Sequence, residues 1–371
     1  MKKTVLFLIP TLGNGGAERV LVNLANHMNR DNYDVTIQTL FDEGINRTVL
    51  SSHVHYKSFM KHQFHGNAKL IQTIPPSFLY RFIVKDRYDI VVSYLEGPTA
   101  RIISGCIYPD SKKVYWIHTT ILNYRMFKLG FLTVGGARRA FSNASKIVGV
   151  SNEVNKSFCK YFDNNRISVE TYHNVNDTDS ILTKASESVN FMFPDGVPKI
   201  CSAGKLQKVK GFERLIYAHK RLLEEGIKHY IIILGDGDQR KELEKLIIEN
   251  RVAETFKLIG FCENPYKYMS KCDAYVCSSY REGLSTSVTE ALILGLATVS
   301  TSCAGAKELL GENNEYGIVC ENSEKGIYES IKSLLVDKEL MHYYKQRALE
   351  RGTQFDALKT TRDIETMFEN L

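Results

Sequence analysis

No two of the eight cysteines are spaced C-x-x-C, and the intervals between positions 106, 159, 201, 262, 272, 277, 303 and 320 match no zinc or disulfide framework. Free thiols in a reducing compartment are therefore expected. No window of about 18 apolar residues occurs, which excludes a membrane-crossing helix. Lys2 and Lys3 precede an apolar run, Val5 to Pro10, that is too short for a signal core and lacks a small-residue cleavage site. That run reads as a first buried strand and the protein as cytosolic. No internal repeat is visible. With 43% hydrophobic and 24% charged residues in a chain of 371, disorder is excluded too, and two or three domains are expected at about 150 residues each.

The net charge of +6 is unevenly spread. Residues 51–150 carry 14 Lys/Arg against 4 Asp/Glu, while residues 1–50 balance at 5 against 5. A one-sided basic field attracts phosphates of nucleic acid, anionic lipid or a phosphorylated substrate.

Apolar β-branched runs alternate with helical periodicity. Strands are expected at Thr4–Pro10, Val35–Leu40, Ile90–Tyr94, Lys113–Ile117, Lys146–Val150 and Ser168–Tyr172, and again at Lys199–Ala203, Tyr230–Gly235, Thr255–Gly260, Ala274–Ser278 and Ala297–Thr301. Val20, Leu21, Leu24, Ala25 and Met28 share one helical face. Runs without clean alternation suit parallel strands covered on both faces, an α/β pattern. Asn174 to Val197 has no convincing period and reads as a linker. The domains expected are 1–180, a linker 181–198, 199–352, and a helix 353–371 that crosses back to the first domain.

Four places carry possible chemistry. Gly13, Gly15 and Gly16 form a glycine-rich turn before the first helix, but Glu18 stands where a dinucleotide fingerprint has its third glycine. Gly204-Lys205 to Lys210-Gly211 puts two lysines between strand and helix, which suits a diphosphate or a solvated basic loop. Glu282-Gly283-Leu284-Ser285-Thr286-Ser287-Val288-Thr289-Glu290 holds two carboxylates eight residues apart at a helix start. A fully helical stretch would separate them by about 12 Å, beyond the about 5 to 9.5 Å of a glycosidase pair. They suit different parts of one ligand, or a capped surface helix. His118 ends a strand at the sheet edge where ligands bind, and would accept a proton or hydrogen-bond a hydroxyl.

Asp236-Gly237-Asp238, Asp177-Thr178-Asp179, and His62 with His65 hint at metal without completing a site, and no metal is expected. Asp238 reads as a helix N-cap. Two basic, aromatic stretches, Phe78 to Lys85 and Tyr124 to Phe131, suit a membrane interface or a core helix with snorkelling cations.

Together these motifs resemble the retaining, nucleotide-sugar-dependent glycosyltransferases of family 4. The resemblance runs through Gly15-Gly16-Ala17-Glu18 and is strongest from Gly204 to Glu308. It implies a GT-B fold, two Rossmann-like domains facing each other across a deep cleft, acceptor on the first and UDP-sugar on the second. Lys205 and Lys210 would hold the diphosphate, with Thr286, Ser287 and Val288 offering amides. Glu290 would take the ribose, and Gly260, Phe261 and Glu263 the base. Glu282, with Gly283 and Leu284 beside it, would touch the donor sugar. Gly15 and Gly16 would border the phosphates, and His118 the sugar or the attacking hydroxyl; Glu282, His118 and Lys210 form the expected catalytic set.

Lys205 stands where arginine is usual and Ser285 where proline is frequent. The implied reaction is metal- and cofactor-free transfer of a hexose or N-acetylhexosamine, forming an α-linkage. The basic first domain adds two further expectations. The acceptor would be undecaprenyl-diphosphate-linked, and the enzyme peripheral on the inner face of the plasma membrane in surface-polysaccharide assembly. A nucleotide-sugar epimerase and a dinucleotide oxidoreductase are the alternatives. Nucleic acid is not expected, since no helix carries a groove-reading basic stripe.

Overall fold

The computed structural model describes residues 2–63, 66–163 and 166–371. The chain folds into two compact units, Met1–Val175 with Ala357–Leu371, and Asn176–Asp356. Each is an α/β unit built on an all-parallel sheet.

In the first unit the strands are β1 (Lys3–Ile9), β2 (Tyr33–Phe41), β3 (His55–Met60), β4 (Ile90–Ser93), β5 (Lys112–Ile117), β6 (Lys146–Gly149) and β7 (Val169–Thr171), in the order β3-β2-β1-β4-β5-β6-β7. Val5 to Ile9 are fully buried, as a strand covered by helices on both faces must be. β3 lacks an apolar run, because an edge strand keeps much of its surface in solvent, and the sequence pattern missed it for that reason.

The last helix, Ala357–Glu369, completes this unit. Its Phe368 ring lies 6.2 Å from Phe7 and 6.4 Å from Tyr33, while Lys3 Nζ donates to the Phe368 carbonyl at 3.0 Å. The preceding helix, Lys338–Gly352, belongs to the second unit. There a Cβ on Gly352 would stand 2.8 Å from Ile293 Cα, so only glycine permits the approach.

The second unit holds β8 (Lys199–Ala203), β9 (Tyr230–Leu234), β10 (Phe256–Gly260), β11 (Ala274–Cys277), β12 (Ala297–Thr301) and β13 (Ile318–Cys320), ordered β10-β9-β8-β11-β12-β13. The expected linker 181–198 overlaps a helix, Thr178–Ala185, capped by Asp177 Oδ1 on the Ser180 amide. Asn264 Nδ2 donates to Lys184 O and Ser270 Oγ to Ala185 O, so this helix is fastened to the second unit. Its buried face is only Ile181 and Ala185, too few residues to register as a period. β13 and the helix Ala306–Leu310 were missed because they are short. Every cysteine is free, five of the eight buried. Among the described residues no helix is long and apolar enough to cross a membrane.

The core of the second unit contains one polar network. His219 Nδ1 stands 2.7 Å from His229 Nε2, His219 Nε2 2.9 Å from Thr255 Oγ1, and His229 Nδ1 2.8 Å from the Ile227 carbonyl. Burial lowers the pKa of both imidazoles, that of His219 furthest, to about 2, because the neighbouring ring adds to it, while the bond to the Ile227 carbonyl partly opposes it in His229. The unfolded chain therefore takes up protons below about pH 6.5 that the folded one refuses. The stability these groups allow is full above that pH and falls as pH drops, by up to about 1.4 kcal/mol per pH unit for each ring. His219→Gln, which cannot titrate, should flatten the loss of stability between pH 7 and pH 5 in denaturant melts. An unchanged slope would mean that other groups set it.

Candidate functional site

The strand order of the second sheet reverses between β8 and β11, so loops leaving their carboxyl ends diverge and leave a crevice. The Lys205 loop follows β8 and the Glu282 loop follows β11. Main chain binds them together. The Tyr280 amide donates to Val209 O at 2.8 Å, and Ser278 Oγ to Lys210 O at 2.9 Å. Gly211 sits at φ +62°, and a Cβ there would come 2.4 Å from Ser278 O. Buried Arg214 stacks 3.8 Å from the Tyr280 ring centre, donates to Asn322 Oδ1 at 2.8 Å and bonds the Ser278 carbonyl.

This frame holds Lys210 Nζ 2.7 Å from Glu282 Oε1, with side chains only 24% and 14% exposed. Ser279 Oγ donates to the same oxygen at 2.5 Å. Burial disfavours the ammonium, but the Glu282 charge and hydrogen bond outweigh it and lift the Lys210 pKa above its ordinary value. Lys210 is thus a fixed cation at neutral pH. The Cys277 thiol, 4.0 Å from Glu282 Oε1, is pushed up by burial and stays neutral.

The helix Thr286–Ile293 starts just beyond, so Glu282 stands in the loop before it rather than on it. Ser285 is its N-cap, its Oγ accepting from the Val288 amide at 3.4 Å. The serine in place of the frequent proline thus ties up Val288, expected as a phosphate donor. Thr286 and Ser287 are first-turn positions whose amides a helix leaves without intrahelical acceptors. Tyr275 donates to Ser287 Oγ at 2.7 Å, and Tyr266 to Glu290 Oε1 at 2.9 Å. Under the loop, Gly305 at φ +74° admits Gly283 and Leu284, where a Cβ would meet Gly283 O at 2.8 Å.

The loops after β8, β9 and β10 are stacked by backbone bonds. Leu206 N donates to Asp236 O at 3.0 Å, and Gly235 N to Gly260 O at 2.8 Å. Lys205, Phe261 and Glu263 are exposed along this edge. Lys208 is committed to Glu213 at 3.1 Å. Asp238 is not the cap of its helix, Arg240–Glu249; the residue before that helix is Gln239, whose amide donates to Leu206 O at 3.0 Å.

In the first unit the helix Gly16–His27 follows β1, with Gly15 at its cap position. His118 follows β5, its ring 4.8 Å from Tyr94. It is only 9% exposed, and its buried Nε2 has no hydrogen-bond partner. Burial pushes its pKa down to about 3, so the ring is neutral and suited to a hydrogen bond rather than to taking a proton. His62 stands 3.8 Å from Glu43, and His65 lies outside the described residues. Among the described residues no three His, Cys, Asp or Glu side chains group as a metal site requires.

The second unit therefore gathers Lys205, Lys210, Gly260, Phe261, Glu263, Glu282, Gly283, Leu284, Thr286, Ser287, Val288 and Glu290 along one sheet edge. Gly15, Gly16 and His118 occupy the matching edge of the first unit. Sequence reading missed Ser279, Tyr266, Arg214 and Glu96. Their partners are distant in the chain except for Ser279, whose three-residue spacing from Glu282 was the one signal available.

Two sheet units with a basic, amide-lined crevice at the switch point define a glycosyltransferase of GT-B fold. Comparison bears this out: the model for Glycosyltransferase Family 4 matches residues 14–179, and that for Glycosyl transferases group 1 matches residues 184–351. The chain belongs to the family 4 glycosyltransferases. It is 28% identical, over 98% of each chain, to a Campylobacter jejuni N-acetylgalactosamine-N,N'-diacetylbacillosaminyl-diphospho-undecaprenol 4-alpha-N-acetylgalactosaminyltransferase. A second Campylobacter jejuni enzyme, an alpha-1,4-N-acetyl-D-galactosaminyltransferase acting on a diphospho-undecaprenol-linked glycan, is 26% identical over 92% of this chain and 93% of its own. Among solved structures, Anabaena HepE in complex with UDP and glucose superposes with a TM-score of 0.78 at 19% identity, covering all of both chains.

The cap makes a measurable claim. Ser285→Ala should cost about 1 kcal/mol of stability by denaturant melt. A variant as stable as the parent would remove the capping role.

Proposed function

We propose that the protein transfers a hexose or N-acetylhexosamine from a UDP-sugar, with retention and without a metal, to form an α-linkage on a lipid-diphosphate-linked glycan. The observation that carries the reading is the Lys210–Glu282 pair beside the Thr286 helix start. Departure of a nucleoside diphosphate builds charge on its phosphate, and cations and amides already in place stabilise it. Lys210 has three donors, so it can keep Glu282 and still reach a phosphate oxygen. Lys205 adds an exposed charge. Glu282 both keeps Lys210 protonated and offers a carboxylate to sugar hydroxyls. Glu290, steadied by Tyr266, suits the ribose, and exposed Phe261 a base. On the first unit, Gly15 and Gly16 suit the phosphates, and neutral His118, with its unpartnered Nε2, suits a hydrogen bond to the sugar or to the attacking hydroxyl.

UDP is supported by the HepE complex. The α-linkage and an undecaprenyl-diphosphate acceptor are supported by the names of the two Campylobacter enzymes. The place of action would be the inner face of the plasma membrane, bound peripherally. On the helix Pro76–Ile83, Leu79, Tyr80 and Ile83 are buried, while Phe78 and Phe82 are 62% and 57% exposed, stacked 6.4 Å apart, with exposed Arg81 between them in sequence. Aromatic and basic side chains on one exposed surface suit an anionic bilayer. The second stretch divides: Phe127 and Phe131 are core, while Tyr124, Arg125 and Leu129 are exposed.

Three measurements check the reading. UDP in EDTA should raise the melting temperature, since a ligand at a hundred times its Kd adds about 2.7 kcal/mol; a response to NAD alone would point to an oxidoreductase, and sugar conversion without acceptor to an epimerase. Lys210→Ala should lower kcat/KM for the donor by about a hundredfold or more while shifting stability far less. Unchanged kcat/KM would refute its role. Sedimentation at low salt should favour anionic over neutral vesicles, and equal partition would sink the membrane assignment.

A further inference from the structure

A cavity of about 310 Å³ opens in the first unit between the loops that follow β4 and β5. Glu96, Thr119, Ile121, Arg125, Met126 and Leu129 line it. Its size is at the lower end of small-molecule pockets, right for about one ring. Glu96 Oε1 accepts from the His118 amide at 2.7 Å, the Thr119 amide at 2.8 Å and the Thr119 hydroxyl at 3.2 Å. All three donors converge on one oxygen, which anchors that end of the carboxylate. Burial raises the Glu96 pKa, and those hydrogen bonds only partly oppose it. Among the described residues no cation lies within ion-pair distance of Glu96, although Arg125 lines the same cavity. The three hydrogen bonds offset part of the cost of burying this carboxylate, and with no counter-cation it remains a strong acceptor for a hydroxyl donor.

The walls are set as firmly. Gly130 at φ +87° packs on Gly97, where a Cβ would come 2.1 Å from the Gly97 carbonyl, and this seats the Leu129 loop. Ile121, Met126 and Leu129 give apolar surface opposite the carboxylate. Such a pairing matches a pyranose, which shows hydroxyls on its edge and C–H groups on its face. Among the described residues no aromatic side chain lines the cavity to stack a nucleobase, and Glu96 would repel a bare phosphate at its end.

We propose that this cavity seats the terminal sugar of the acceptor, with Glu96 accepting hydrogen bonds from its hydroxyls and Arg125 meeting phosphate farther along the same acceptor. The proposal rests on the transferase reading above and deepens it by placing the acceptor sugar.

The test uses the full chain and octyl N-acetylhexosaminides of gluco and galacto configuration, with binding read by saturation-transfer NMR and titration. Wild-type protein should bind one of them at millimolar concentration. Glu96→Gln keeps an oxygen for the two amides but loses the charge, and should weaken binding about tenfold. Leu129→Trp, at a half-exposed position where folding is not at stake, should fill the cavity and abolish it. Stabilisation by UDP is measured beside each and should persist in both variants. Absence of glycoside binding to the wild type, or equal affinity in Leu129→Trp, would overturn the proposal while UDP stabilisation leaves the transferase reading standing. Loss of UDP stabilisation in the wild type would defeat that reading instead.

Discussion

Two opposite charges held 2.7 Å apart at the reversal point of a parallel sheet set the electrostatics of the crevice in the second unit. A half-buried ion pair is weak as a source of stability, because desolvation consumes most of what the attraction supplies. What it does supply is a state of charge. Burial alone would pull the ammonium of Lys210 toward neutrality, and Glu282 reverses that. The neighbouring structure serves to hold this pair in register. Ser278 anchors the lysine loop, Arg214 anchors Ser278, and Ser279 steadies the carboxylate.

The first unit treats its ionisable groups differently. Burial keeps the His118 ring neutral, with an unsatisfied nitrogen. Glu96 is tied to amides rather than to a cation. The two sheets thus offer contrasting surfaces at equivalent edges: one charged and amide-rich, suited to a polyanion, the other neutral or acidic with apolar walls, suited to a polyhydroxylated ring.

Much of this was legible from residue order. Central strands such as β1 and β9 declare themselves through an unbroken apolar run, Val5–Ile9 in the first and all of the second, and the paired loops around Lys210 and Glu282 follow from glycines and charges at strand ends. Edge elements were not legible. β3 has no fully buried residue, and Thr178–Ala185 has two buried positions, so neither leaves a periodic trace. Nor were supporting residues that act across sequence. Arg214 is 64 residues from Ser278, and Tyr266 is 24 from Glu290. Their identities look ordinary until the fold supplies the partner. Glu96 escaped for the same reason: one acidic residue after a short strand carries no signal until the next strand's loop closes on it.

The closing helix has a consequence for how the chain is made. Lys3 and Phe368 are in contact although 365 residues separate them, so the surface around Phe7 and Tyr33 stays uncovered until Phe368 leaves the ribosome. The second unit is one continuous segment, Asn176–Asp356, and can close while the first is still waiting. Synthesis therefore completes the two units in the reverse of their chain order. A nascent chain that stops before the helix Ala357–Glu369 would carry a finished second unit and a first unit with an exposed aromatic seam, the kind of surface that recruits chaperones or aggregates.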